Sequence, residues 1–199
     1  MAHIAPLPEA ELAPFSELFA AVEARMGFVP NSLKTMARKP EMLKGFLALF
    51  SAVIGPSSSL PADLAQLVAH VASAAAGCRY CQAHTGHVAE RRGASAEKVA
   101  AVWDYARSPL FTEAERAALA LAQAAAEVPN RATAAHFDAA RAHFSEAQLV
   151  EIIGIVALFG FLNRWNDSIA TEIEDSPLAF AEAHLGPHGW QAGKHRRDG

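Results

Sequence analysis

The sequence predicts an all-α protein of roughly eight to ten helices joined by short connections. Three observations carry the prediction. Alanine is abundant throughout, β-branched residues are sparse, and apolar residues recur three and four positions apart. With 199 residues, 52% of them hydrophobic, the chain can bury one sizeable core and is not a disordered polymer. Its 17 basic and 21 acidic side chains leave a net charge of −4, so nothing draws it to nucleic acid.

Leu12, Phe15, Phe19, Val22 and Met26 line one face of a first helix from Glu9 to Met26. Pro30 and Asn31 start a short helix that Pro40 ends, and Leu43, Phe46, Leu47 and Phe50 mark another from Glu41 to Val53. Gly55-Pro56-Ser57-Ser58-Ser59 is a loop, and Ser59 is expected to cap a helix reaching about Ala76. Gly77 breaks that helix, and the next carries the two cysteines to Arg92. Ser95 caps a helix through Trp103. Capping boxes at Thr112–Glu115 and Ser145–Gln148 open helices over 113–127 and 146–171, with another between Ala132 and His143.

These elements form a single domain over 1–199. It comprises an N-terminal helical arm (1–55), a core (56–175) and a C-terminal tail (176–199). The basic cluster Lys194-His195-Arg196-Arg197 reads as a frayed, solvated end. An offset of 85 lays Leu64–Val68 over Leu149–Ile153 and Cys78–Cys81 over Asn163–Asn166, suggesting two packed helix-break-helix units. Met1 to Pro14 has no basic-then-apolar run. The longest apolar stretch, Ile152 to Leu162, falls short of the roughly 20 residues a membrane span needs. A cytoplasmic protein without a membrane partner is therefore expected.

The chemistry concentrates in Gly77-Cys78-Arg79-Tyr80-Cys81-Gln82-Ala83-His84-Thr85-Gly86-His87. The only two cysteines, three apart in a chain without an export signal, read as a site rather than a structural framework. Helical residues at that spacing have β-carbons roughly 5–6 Å apart, so a disulfide can form and break with little backbone movement. A helix starting near Gly77 turns its free N–H groups toward the cysteines and favours thiolate, most of all at Cys78. His84, one turn beyond Cys81, is placed to exchange a proton with that sulfur.

Two other readings stay open at this point. Cys78, Cys81, His84 and His87 are a permissible zinc set, although positions 81, 84 and 87 drift around the helix by about 60° per step. The cysteines also fit as small buried hydrophobes. His70, His136 and His143 read as core or surface histidines, and Trp103 and Trp165 as core. No Gly-rich phosphate loop or nucleophile elbow is present.

With Phe28-Val29-Pro30-Asn31, the cysteine segment and Phe161-Leu162-Asn163-Arg164-Trp165-Asn166-Asp167 in view, the chain resembles the carboxymuconolactone decarboxylase-like superfamily. The match is to its alkylhydroperoxidase AhpD-like, peroxidase-related branch. That resemblance implies an all-helical fold assembling into homo-oligomers, trimers or hexamers. It implies a thiol-dependent hydroperoxide reductase in which Cys81 attacks the peroxide and Cys78 resolves the sulfenic acid as a disulfide. It further implies no metal or bound cofactor, a small hydroperoxide substrate, and an external dithiol or protein reductant. The pattern's relay has a glutamate twelve residues before the first cysteine, where this chain has Gln66, and a histidine four after the second, where His84 stands three after. An amide takes up no proton at neutral pH. Glu151, which overlies Gln66 at the offset of 85, is a substitute carboxylate on this reading, with His87 and Tyr80 as further accessories. A non-catalytic metal-binding or assembly protein, or a non-redox enzyme on the same fold, are the alternatives.

Overall fold

The structure is a computed structural model describing residues 2–197, and among these no strand occurs. Its ten α-helices are α1 (Ser16–Met26), α2 (Asn31–Met36), α3 (Pro40–Ile54), α4 (Ala62–Ala75), α5 (Arg79–Arg91), α6 (Ala96–Ala100), α7 (Glu113–Ala126), α8 (Ala134–Arg141), α9 (Glu146–Ile169) and α10 (Asp175–His184). The all-helical prediction holds.

At the centre lies α4, where every residue from Leu64 to Ser73 is buried. A helix apolar on all sides must be enclosed, and its many alanines let neighbours approach closely. It packs against α5, α7 and α9, while α10 covers α5 and α3 covers α9. By length and composition α9 is apolar enough to cross a bilayer; here it packs against α3, α4, α5, α7 and α8.

Several expectations are corrected. Pro14 splits the first predicted helix, so two short 3-10 turns precede α1. Pro40 opens α3 rather than merely ending α2, because a first-turn proline gives up no helical hydrogen bond. Ser59 does not cap α4, whose N-cap is Pro61; its hydroxyl and N–H are held by Glu151. The second helix-break-helix unit is one unbroken helix, since Leu162 stands where the first unit has Gly77. Trp103 is 51% exposed rather than core.

The C-terminal basic cluster is not a frayed end. His195 is buried at 1% exposure, its backbone carbonyl accepts from Ile173 N at 3.0 Å, and Lys194 Nζ lies 2.9 Å from Asp167 Oδ2. Arg196 pairs with Glu182 and Arg197 with Glu172. The tail is a strap tied to α9, α10 and the segment between them.

Candidate active site

The site begins with how α4 ends. Gly77 takes φ +77°, Gly77 N–H donates to Ala74 O at 3.0 Å, and Cys78 N–H donates to Ser73 O at 3.1 Å. This paired closure needs a left-handed residue, which glycine adopts without penalty. It delivers Cys78 as the N-cap of α5, where its sulfur accepts from Cys81 N–H at 3.5 Å. The two thiols are free and buried, at 0% and 2% exposure.

The sulfurs are inequivalent. A hydrogen bond from the Cys81 thiol holds the Cys78 thiol below its ordinary value, outweighing the burial that opposes it, and the Cys81 N–H adds to the effect. Burial pushes the Cys81 thiol well up, and sharing its proton with Cys78 raises it further. Asn166 Nδ2 donates to Cys81 Sγ at 3.5 Å. One turn earlier on α9, Asn163 is buried with both side-chain amide atoms unpaired among the described residues.

His84 is buried and its Nε2 lies 2.6 Å from Glu174 Oε2. The other Glu174 oxygen accepts from Tyr80 O–H at 3.1 Å and from Asn31 N–H. Burial opposes ionisation of Glu174, but the His84 charge, its hydrogen bond and the Asn31 N–H hold the carboxyl below its usual range. In the neutral ring a carboxylate 2.6 Å from Nε2 favours the proton on that nitrogen and leaves Nδ1 of His84 free; in the charged ring both nitrogens carry protons. Tyr80 stacks on His84 with ring centroids 4.1 Å apart, and Phe28 meets its edge at 5.4 Å.

The structure sorts the sequence-predicted residues. Cys78, Cys81, Tyr80 and His84 come together on α5. Gln66 is buried on α4 at 6% exposure but makes no side-chain hydrogen bond among the described residues. Glu151 does not join the site: its carboxylate accepts from Ser58 Oγ at 2.7 Å and from Ser59 Oγ and N–H at 2.8 and 3.0 Å. It ties the loop before α4 to α9. His87 lies between Phe28 and Phe180, at centroid distances of 6.1 and 5.9 Å. Arg79 is exposed and donates to Gln82. His70 is a core histidine, with Nδ1 2.9 Å from Thr85 Oγ1 and burial lowering its pKa to about 4.

Three site residues escaped the sequence reading. Glu174 brings a carboxylate to His84 from 90 residues further along the chain. Asp167 and His195 stand beside Cys78: its Sγ, an Asp167 oxygen and a ring nitrogen of His195 all lie within 4.8 Å of one another. Asp167 was visible as the last residue of the second signature, whereas no local pattern marked Glu174 or His195. Asp167 lies on α9 itself, and the turn that leads to Glu174 and to Thr171, the partner of His195, follows that helix. Ala170 takes φ +53° there, and Thr171 N–H closes onto Asn166 O at 3.1 Å while Thr171 Oγ1 donates to Asn166 Oδ1 at 2.9 Å.

The model of the carboxymuconolactone decarboxylase family matches residues 40–124. Among solved structures, the debrominase Bmp8, as a cysteine-to-alanine variant in complex with 2,3,4-tribromopyrrole, is 34% identical with a TM-score of 0.84. The match covers 90% of this chain and 96% of that one. An alkylhydroperoxidase AhpD core, an uncharacterized peroxidase-related protein from Ralstonia eutropha, is 26% identical with a TM-score of 0.78, covering 89% and 95%. The uncharacterized protein YnjA of Escherichia coli is 37% identical over 93 residues, which is 46% of this chain and 50% of that relative; the chain thus matches about half of YnjA's length.

Proposed function

The chain belongs to the carboxymuconolactone decarboxylase-like superfamily, with AhpD-like neighbours, and from that premise we propose that it is a dithiol-dependent reductase of small hydroperoxides. The observation that carries the reading is the position of Cys78 as N-cap of α5, its sulfur accepting from Cys81. This supports Cys78 as the attacking thiolate and Cys81 as the resolving thiol, the reverse of the order that the resemblance alone implies.

The Cys78 thiolate attacks the outer peroxide oxygen and the O–O bond breaks. The departing alkoxide takes a proton, leaving an alcohol and a Cys78 sulfenic acid. Cys81 then attacks the sulfenic sulfur, the S–S bond forms, and the S–O bond breaks with release of water. Hydroperoxide and dithiol become alcohol, water and disulfide. An external dithiol or protein reductant restores both thiols. His84, its Nε2 proton held by Glu174, is the proton carrier one turn from Cys81.

A second reading is favoured by the likeness to the debrominase, 34% identical over 90% of the chain. The same dithiol would convert an organic bromide into its hydrogen-bearing counterpart, bromide, a proton and the disulfide. Assembly into homo-oligomers belongs to the proposal and is supported by the exposed Leu49 on α3 and Val150 and Phe161 on α9.

Rapid mixing with an alkyl hydroperoxide tests the reading. Thiol loss much faster than for free cysteine is expected, absent in Cys78→Ser, with a trappable sulfenic acid accumulating in Cys81→Ser. A rate no faster than free cysteine refutes peroxide reduction, and the same assay with a polybrominated pyrrole then tests the second reading.

A further inference from the structure

We propose that His195, carried onto the site by the C-terminal strap, is the proton acceptor of Cys78, with Asp167 holding the imidazolium that forms. The inference rests on Cys78 being the attacking sulfur and adds the group that creates its thiolate.

The strap's geometry decides which nitrogen is free. His195 Nδ1 lies 2.8 Å from the Thr171 backbone carbonyl, which can only accept, so Nδ1 carries the proton. Nε2 is therefore the lone-pair nitrogen in the neutral ring. It lies 3.4 Å from Asp167 Oδ1, and a ring nitrogen of His195, an Asp167 oxygen and Cys78 Sγ all lie within 4.8 Å of one another. The neutral ring turns a lone pair toward Asp167, an unfavourable contact that burial outweighs and protonation relieves, so a proton passing from the buried thiol to Nε2 makes the ring a donor to Asp167.

The surroundings fit a base. Burial favours neutral His195, more than the Thr171 carbonyl and Asp167 favour its charged form, so the ring stands ready to accept. Lys194 at 2.9 Å balances part of the Asp167 charge, which would otherwise work against the neighbouring thiolate. The remaining groups facing the pair are Tyr80, whose ring centroid is 6.1 Å from that of His195, and Cys81; the Glu172–Arg197 pair flanks the strap. Each sulfur thus has its own histidine–carboxylate pair: His195–Asp167 beside Cys78, and His84–Glu174 one turn from Cys81. The two rings carry their neutral-state protons on opposite nitrogens.

The test titrates Cys78 alone. In a Cys81→Ser background, thiolate absorbance is followed against pH with and without His195→Gln, whose amide can still donate to Thr171 O but takes up no proton. The expected result is a tenfold lower thiolate fraction at neutral pH, a rise of about one unit in the midpoint, with thermal melting essentially kept. Imidazole added to His195→Ala should recover alkylation of Cys78 by a small thiolate-selective reagent. An unchanged midpoint in folded His195→Gln overturns the proposal. So does stoichiometric zinc in the purified wild-type chain that His195→Gln removes. Neither readout uses a peroxide, so the inference can fail while peroxide reduction stands, and the reverse.

Discussion

Two cysteines three residues apart are unequal because only one of them ends a helix. Cys78 receives the Cys81 proton and N–H, whereas Cys81 receives only the weaker Asn166 amide. The consequence is measurable by alkylation. Cys78 is expected to react with a small haloacetamide at neutral pH well before Cys81, read by peptide mass spectrometry. The proton carrier proposed on the other side, His84, makes a second prediction. His84→Asn should lower peroxide turnover by about a hundredfold or more. Glu174→Gln, which keeps the shape but loses the charge, should cost less and alter the acidic limb of the pH–rate profile. Cys78, Cys81, Tyr80 and His84 were legible because helical spacing places near neighbours on one face. Glu174 was not, because its contact with His84 spans 90 residues and no periodicity reports such distances. Glu151 misled for a related reason: a weak internal match placed a carboxylate by alignment, while its actual partners are the serines of a loop.

Helix ends do most of the positioning. Gly77 closes α4 and sets Cys78 in place, and a β-carbon there would meet nothing within 4 Å. Gly77→Ala is therefore expected to cost about 1–2 kcal/mol through the backbone alone, seen as a lower urea midpoint with unchanged slope. At the end of α9, Ala170 accepts the left-handed conformation that glycine would take for less, and the chain turns back toward the cysteines. Caps were the most readable elements: the Thr112 and Ser145 boxes and the Ser95 cap all form as their spacing predicts. The strap was the least readable. A run of Lys, His and Arg has no apolar face, so its docking follows from partners on other elements, Asp167, Glu172 and Glu182, while His195 alone within it is buried.

Across the molecule, three histidines that are at least partly buried, His70, His87 and His195, are each held below the ordinary range, chiefly by burial. Their folded forms resist protonation that the unfolded chain accepts. For His70, with a folded value of about 4 against 6.5, stability is full above pH 6.5 and falls as the pH drops toward 4. The loss from this residue alone is about 3 kcal/mol. Denaturant titrations across that range should show the decline, and His70→Asn should flatten it. The proposed assembly uses the exposed apolar residues of α3 and α9, so Phe161→Glu is expected to lower the mass found by light scattering while leaving the melting temperature nearly unchanged. All-helical architecture was legible from composition and periodicity, since alanine-rich amphipathic segments have few other folds open to them. The enclosure of the sulfurs was not, because α4, α5, α9 and the strap meet only in three dimensions.

The most direct test of the central claim is the intact mass of the reduced protein after one equivalent of alkyl hydroperoxide. Dithiol chemistry at this site predicts the loss of two hydrogens, a Cys78–Cys81 cross-link in the peptide map, and an equivalent of alcohol. An unchanged mass, or an added oxygen that persists with both cysteines present, would contradict it.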